Sequence, residues 1–247
     1  MTADKAQRYH LIDALRGFAL LNMIVFHLLY DIFVIYRGDF HWATVPWIVV
    51  WERIDCALFI IISGVSLNFT NRGIRNGIKL NLLGFLIAAV TAIVIPEQAI
   101  YFGVLNLLGC AMLLCQAAKP SLNRLNPFIG TLFCLVLYAL TYGVPTGFIG
   151  VFDTPLVMLP KGLYAFRALA FLGFPDKGFF STDYFPLLPW IFLFACGYFM
   201  WRAVSAIGAL RLFRFKIPPL CFLGRHTLII YIIHQPLLMG ICALIFG

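Results

Sequence analysis

Charge is scarce in this chain. Of its 247 residues only 11% are Asp, Glu, Lys or Arg, while 62% are hydrophobic, and the mean hydropathy is +0.95. Soluble domains carry about a quarter charged residues, so a soluble globular domain is excluded and a polytopic helix bundle in lipid is expected. Cysteine pairs are also lacking. The seven cysteines (Cys56, Cys110, Cys115, Cys134, Cys196, Cys221, Cys242) all fall in apolar segments and none has CxxC spacing, so they read as small buried hydrophobes rather than disulfides or metal ligands. HxxxH and HExxH spacings are missing, which argues against a metal site. A GxSxG nucleophile elbow and a P-loop are missing too. There is no internal repeat. No cleavable signal peptide is expected, because the first apolar run is too long and no small-residue site follows it.

What charge there is leans basic, with 18 Lys and Arg against 10 Asp and Glu, a net +8. In a membrane protein this marks cytoplasmic loops beside anionic lipid, not a nucleic-acid partner. Apolar periodicity predicts seven spans, at 11–35, 45–70, 77–95, 99–117, 126–144, 184–204 and 218–246. Segment 145–183 is rich in Gly, Pro and Phe and is interrupted by Lys161 and Arg167. It is expected to be an external loop with an interfacial or re-entrant helix. Lys5 and Arg8, Arg72, Arg75 and Lys79, Lys119 and Arg124, and Arg202, Arg211, Arg214 and Lys216 fall on one side. The positive-inside rule then places the N-terminus in the cytoplasm and the C-terminus outside. The whole chain reads as a single transmembrane domain.

The first span carries four ionisable side chains in an otherwise apolar run. At about 100° per residue, with Asp13 as zero, Arg16 falls near −60°, His27 near −40° and Asp31 back near zero. Such a stripe should face protein or water, because a charge at membrane depth is costly. At about 1.5 Å of rise per residue, His27 and Asp31, Glu52, Arg53 and Asp55, Asn106, Asp183 and Tyr184, and His234 and Gln235 reach one outer level. That predicts a hydrated, outward-facing cavity. In it, His27 with Asp31 one turn later has the makings of a general base and its orienting carboxylate.

Arg16 and Arg225 share a depth near the cytoplasmic end, with Arg72 and Arg75 in the adjacent inner loop. Paired guanidinium groups suit phosphates. From the residues alone Arg72 and Arg75 read first as topology determinants, since RxxR arises cheaply and recurs at Arg211 and Arg214. His41, in the first outer loop, is either an interfacial or a site residue. His10 and His226 read as surface and structural residues. Pro236 cannot donate to the Ile232 carbonyl, so His234 is either a site residue or a cap on that freed group.

At these residues the chain resembles a known family. Arg8-Tyr-His-Leu-Ile-Asp13-Ala-Leu-Arg16-Gly17, with His27 and Asp31 following, resembles the opening of the DUF1624 proteins, which are grouped with the heparan-α-glucosaminide N-acetyltransferase catalytic domain. The same spacing opens the acyltransferase-3 family. Phe59-Ile-Ile-Ile-Ser63-Gly64, Phe102-Gly-Val-Leu-Asn106, Asp183-Tyr-Phe-Pro-Leu-Leu-Pro-Trp190 and Leu223-Gly-Arg-His-Thr-Leu-Ile-Ile-Tyr-Ile-Ile-His234-Gln-Pro236 are similar to its later motifs. The resemblance implies a membrane acyltransferase that takes acetyl-CoA from the cytoplasm and hands the acetyl group to an acceptor outside. It ties Arg72 and Arg75 to the donor and marks Arg16 as functionally important. It marks His27 as functionally important, or points to His41 as the catalytic histidine if the lysosomal arrangement applies, although the spacing from His41 to Asp55 differs. Asn106 stands where many bacterial relatives have His, and an amide cannot take a proton.

Two functions follow. The first is acetyl transfer to a hydroxyl or amine of an envelope sugar or glycolipid. The second is transport or flipping of a small polar solute or lipid headgroup; a non-catalytic relative is a third reading. The expected partners are acetyl-CoA, the glycan acceptor and membrane lipid, with a homodimer left open.

Overall fold

The computed structural model describes residues 8–246, so Lys5, counted above among the cytoplasmic charges, lies outside the described residues. The chain is all-α, as expected: 76% of it is helical. Helix α1 (His10–Tyr30) runs on as a π-helical turn, Asp31–Tyr36, and is followed by α2 (Pro46–Ser66), α3 (Gly73–Val94), α4 (Val104–Leu122) and α5 (Pro127–Thr141). After a long connection come α6 (Leu187–Ala206), α7 (Pro218–Arg225) and α8 (Thr227–Phe246). Among the described residues, six helical stretches are long and apolar enough to cross a membrane. The seventh expected span, α2, has 21 residues, enough in length, but Glu52, Arg53 and Asp55 sit together in it and lower its apolarity. The boundary before α5 is set locally. Asn126 Oδ1 accepts from the amides of Phe128 and Ile129 at 2.9 and 3.3 Å, and Pro127 occupies the first helical position.

Two segments differ from expectation. Residues 145–183 form no continuous interfacial helix. They hold an antiparallel hairpin, β1 (Phe148–Val151) with β2 (Thr154–Met158), followed by short 3-10 turns at Lys161–Ala165 and Arg167–Leu172. Gly147 at φ 104° and Gly173 at φ 120° take left-handed backbone that stops helix propagation on either side. Tyr164 ties this connection down by donating to the Val144 carbonyl, and partial burial pushes its phenol above its ordinary value. The last expected span is broken in two at His226, which has non-helical backbone (φ −105°, ψ 14°). Pro236, by contrast, sits inside α8 without ending it.

The chain divides into two compact units, Met1–Ile62 with Val204–Gly247, and Ser63–Ala203. In the first, α1 and α7 cross at two glycines. A Cβ on Gly224 would lie 1.8 Å from the Asp13 carbonyl oxygen, and one on Gly17 would lie 2.0 Å from that of Leu220. Small residues let backbones approach this closely in membrane bundles. Gly224→Ala therefore forces the helices apart, with an expected cost of about 1–3 kcal/mol for overpacking. It should lower the thermal midpoint of the purified protein; an unchanged midpoint would mean that the crossing is looser than this.

In the second unit, α3 and α4 pack along a seam notched by glycines. Gly73 faces the Gln116 side chain, Gly77 the Gly109 carbonyl, and Gly84 the Asn106 amide, all at distances that a Cβ would violate. The connection before α6 is clipped to the entry of α4. The Thr182 amide donates to the Ala99 carbonyl (3.2 Å) and the Phe185 amide to the Phe102 carbonyl (3.0 Å). Ser181 Oγ is 2.9 Å from both the amide and the carbonyl of Tyr101.

Candidate functional site

In the first unit the cluster is built from α1 and α8. Asp31 is fully buried (0% exposed) where α1 changes to π geometry. Single π turns recur at functional sites. Gln235 Nε2 donates to Asp31 Oδ1 at 2.9 Å, bridging two helices 204 residues apart in sequence. The His27 and His234 rings face each other with centroids 5.1 Å apart. The structure thus brings together four of the residues singled out in the sequence. It changes one relationship: Asp31 gives its carboxylate to Gln235, not to His27, because the widened turn and the Gln235 amide aim it at α8.

Of the two readings of His234, the cap on Ile232 does not hold: the His234 Nδ1 lies 2.6 Å from the Tyr231 carbonyl. A carbonyl only accepts, so Nδ1 carries the proton, and in the neutral ring Nε2 holds a lone pair. That Nε2 is buried and has no hydrogen-bond partner among the described residues, and the same is true of Asp31 Oδ2 and Gln235 Oε1. Buried polar atoms are almost always paired, so three that lack a partner among the described residues, in one cluster, make this a candidate site.

The other first-unit candidates are dispersed. His41 is exposed on a 3-10 turn, where its Nδ1 is 3.4 Å from Thr44 Oγ1. Glu52 is exposed and Asp55 half-buried on α2. Arg16 Nη1 lies 3.4 Å from Asp13 Oδ1 and 3.5 Å from the Gly224 carbonyl at the end of α7, while Arg8 Nε holds Asp13 Oδ2 at 2.9 Å. A cation there complements the helix C-terminus. Arg225 is exposed, and its Nε donates to its own helix at the Cys221 carbonyl.

In the second unit Arg72 and Arg75 line a cavity of about 470 Å³ together with Asn71, Ile74, Ile78 and Gln116. Helix α3 begins at this point. It has no side-chain N-cap bond and no acidic residue in its first turn. The positive dipole end of the helix therefore adds to two guanidinium groups, an arrangement suited to phosphate. Gln116 Oε1 is buried without a partner among the described residues.

Asn106 (3% exposed) donates to the Asn81 carbonyl at 3.4 Å and lines a second cavity on the α3–α4 seam. Asp183 lies against Gly103 at the head of α4, and the Tyr184 hydroxyl donates to the Ala170 carbonyl. Both tether the connecting segment. Gln116 was not singled out in the sequence. The one available signal was its place as a polar side chain in an apolar span.

Comparison with known proteins adds one match. A family model described as "Heparan-alpha-glucosaminide N-acetyltransferase, catalytic" covers residues 8–236. Searches of curated proteins and of solved structures found no match.

Proposed function

Because this chain belongs to the heparan-α-glucosaminide N-acetyltransferase catalytic family, we propose that it moves an acetyl group from cytoplasmic acetyl-CoA to a hydroxyl or amine of an envelope glycan or glycolipid outside. The observation that carries the donor assignment is the cavity at the start of α3, where Arg72 and Arg75 stand together at the helix N-terminus. A transporter of a neutral solute has no use for such an anion site. Arg16 and Arg225 are the remaining donor-side candidates. Of these, Arg16 is already engaged with Asp13 and serves first to hold α1 against α7.

In the transfer step the acceptor O–H or N–H gives its proton to an imidazole while its oxygen or nitrogen bonds to the thioester carbon. The C–S bond breaks, and the CoA thiolate takes the proton back. His27 is the base in this reading, and His234, its tautomer fixed by Tyr231, presents the second lone pair of the cluster. Asp31 is a positioning residue that acts through Gln235. His41 and Asp55 form the alternative catalytic pair; Glu52, Asp183 and Tyr184 remain acceptor-side candidates, and Asn106 faces the α3–α4 cavity. In this reading the protein sits in a bacterial-type inner membrane with its N-terminus inside and its C-terminus outside.

Two measurements test this. Calorimetry of the purified protein with CoA should give saturable heat; none at millimolar ligand removes the donor assignment. Alkaline phosphatase fused after Gly247 should be active, and a silent fusion would reverse the C-terminal placement.

A further inference from the structure

Ile78 lines two cavities. One is the arginine cavity described above. The other, about 400 Å³, continues along the α3–α4 seam and is lined by Leu82, Phe85, Leu113, Phe102 and Phe171, with Asn81, Asn106 and Cys110 as its polar residues. The distance is informative. From Arg75 to Phe85 is ten residues of α3, about 15 Å of rise. The pantetheine arm of CoA, counted in bonds, equals about four extended peptide units, roughly 14 Å. A donor whose phosphates sit at Arg72 and Arg75 therefore carries its thioester to the level of Phe85 and Asn106.

The far end of this second cavity is aromatic. The rings of Phe102 and Phe171 are 5.8 Å apart, and Phe102 stacks on Phe179 at 6.2 Å with planes 18° apart. Phe102 holds its place with φ 55°, left-handed backbone that a bulky residue rarely takes. Gly84 leaves room for the Asn106 side chain to pack against α3 beside this cavity.

We infer that this second cavity receives the acyl end of the thioester donor, and that Phe102 and Phe171 set the acyl length it accepts. The inference rests on the assignment of the arginine cavity to CoA phosphates. The occupant is an acyl-CoA rather than a bilayer lipid chain, because the cavity adjoins an anion site at the distance the pantetheine arm requires. Acetyl-CoA is the donor that fits behind the intact wall. Shortening the wall admits longer chains, and each methylene newly buried is worth about fourfold in affinity.

The test is calorimetry on the full-length protein in detergent with 3′,5′-ADP, CoA and the acetyl, butyryl and hexanoyl thioesters. Wild type should bind acetyl-CoA at least tenfold more tightly than hexanoyl-CoA. Phe171→Ala should raise butyryl-CoA relative to acetyl-CoA by about tenfold. Phe171→Leu, which keeps the site apolar, should do so by less. Leu82→Trp places bulk in the cavity from the 64% exposed face of α3. It should weaken acetyl-CoA tenfold or more and leave 3′,5′-ADP unchanged, so the proposal stays testable if the Phe171 variants fail to fold. An identical chain-length profile in wild type and the Phe171 variants, with CoA binding intact, overturns this proposal alone. So does equal acetyl-CoA affinity in Leu82→Trp, or a phospholipid retained by wild type and lost in Leu82→Trp under native mass spectrometry. Failure of wild type to bind either CoA or 3′,5′-ADP instead removes the donor assignment beneath it.

Discussion

His27→Gln should abolish acetyl transfer while leaving CoA binding intact. Glutamine keeps a hydrogen-bonding side chain of similar reach but accepts no proton, so the substitution separates base chemistry from packing. General-base catalysis contributes about 10²–10⁴ in rate, and a loss in that range is expected in turnover of labelled acetyl-CoA. His234→Gln should cost a comparable factor. Its ring faces His27 at 5.1 Å, and its Nε2 is the buried lone pair left without a partner. The double variant should lose little more than either single one, because residues acting as a unit are not additive. Gln235→Leu tests the positioning role of Asp31. It removes the 2.9 Å bond to the carboxylate and should shift the pH profile of turnover without changing CoA affinity. His41→Ala should lower turnover less than His27→Gln. The reverse order would favour His41 with Asp55 as the catalytic pair, and wild-type turnover in both variants would mean that neither imidazole is the base.

The second large effect is expected at the start of α3. Arg72→Ala and Arg75→Ala should each weaken CoA by about tenfold or more, since charge-assisted bonds to phosphate are worth roughly 1.5–3 kcal/mol. Both side chains are exposed, so the effect should shrink as added salt screens them, and thermal stability should barely change. Lysine at either position should restore part of the affinity, keeping the charge but losing the two-pronged geometry. Calorimetry at two ionic strengths reads all of this. Undiminished CoA affinity in the double alanine variant would place the phosphates elsewhere.

The spans were legible because lipid demands long apolar helices, and hydropathy alone marks them. The polar stripe of α1 was legible for the same reason: in a run like Leu11–Tyr30 an ionisable residue stands out. Legibility ended where the partner of a side chain is set by packing between distant segments. One-turn spacing pairs Asp31 with His27, but the carboxylate bonds Gln235, because the π turn and the approach of α8 decide its direction. Gln116 went unnoticed because its meaning depends on Gly73, 43 residues earlier, leaving room for its amide. The hairpin at Phe148–Met158 was hidden in a Gly- and Phe-rich segment whose short strands have no amphipathic period. The break at His226 was missed because neighbouring apolar residues carried the hydropathy straight across it.

The central claim is that this chain transfers an acetyl group, and membranes containing it test the claim most directly. Acetyl-CoA labelled in the acetyl group is added to membranes expressing wild type or His27→Gln, and label is followed into the glycan and glycolipid fraction. The account predicts label in that fraction with wild type, release of one equivalent of free CoA for each acetyl transferred, and background levels with His27→Gln. Equal background label with both proteins, together with uptake of a polar solute that depends on wild type, would contradict it and make the buried cluster of α1 and α8 a transport site.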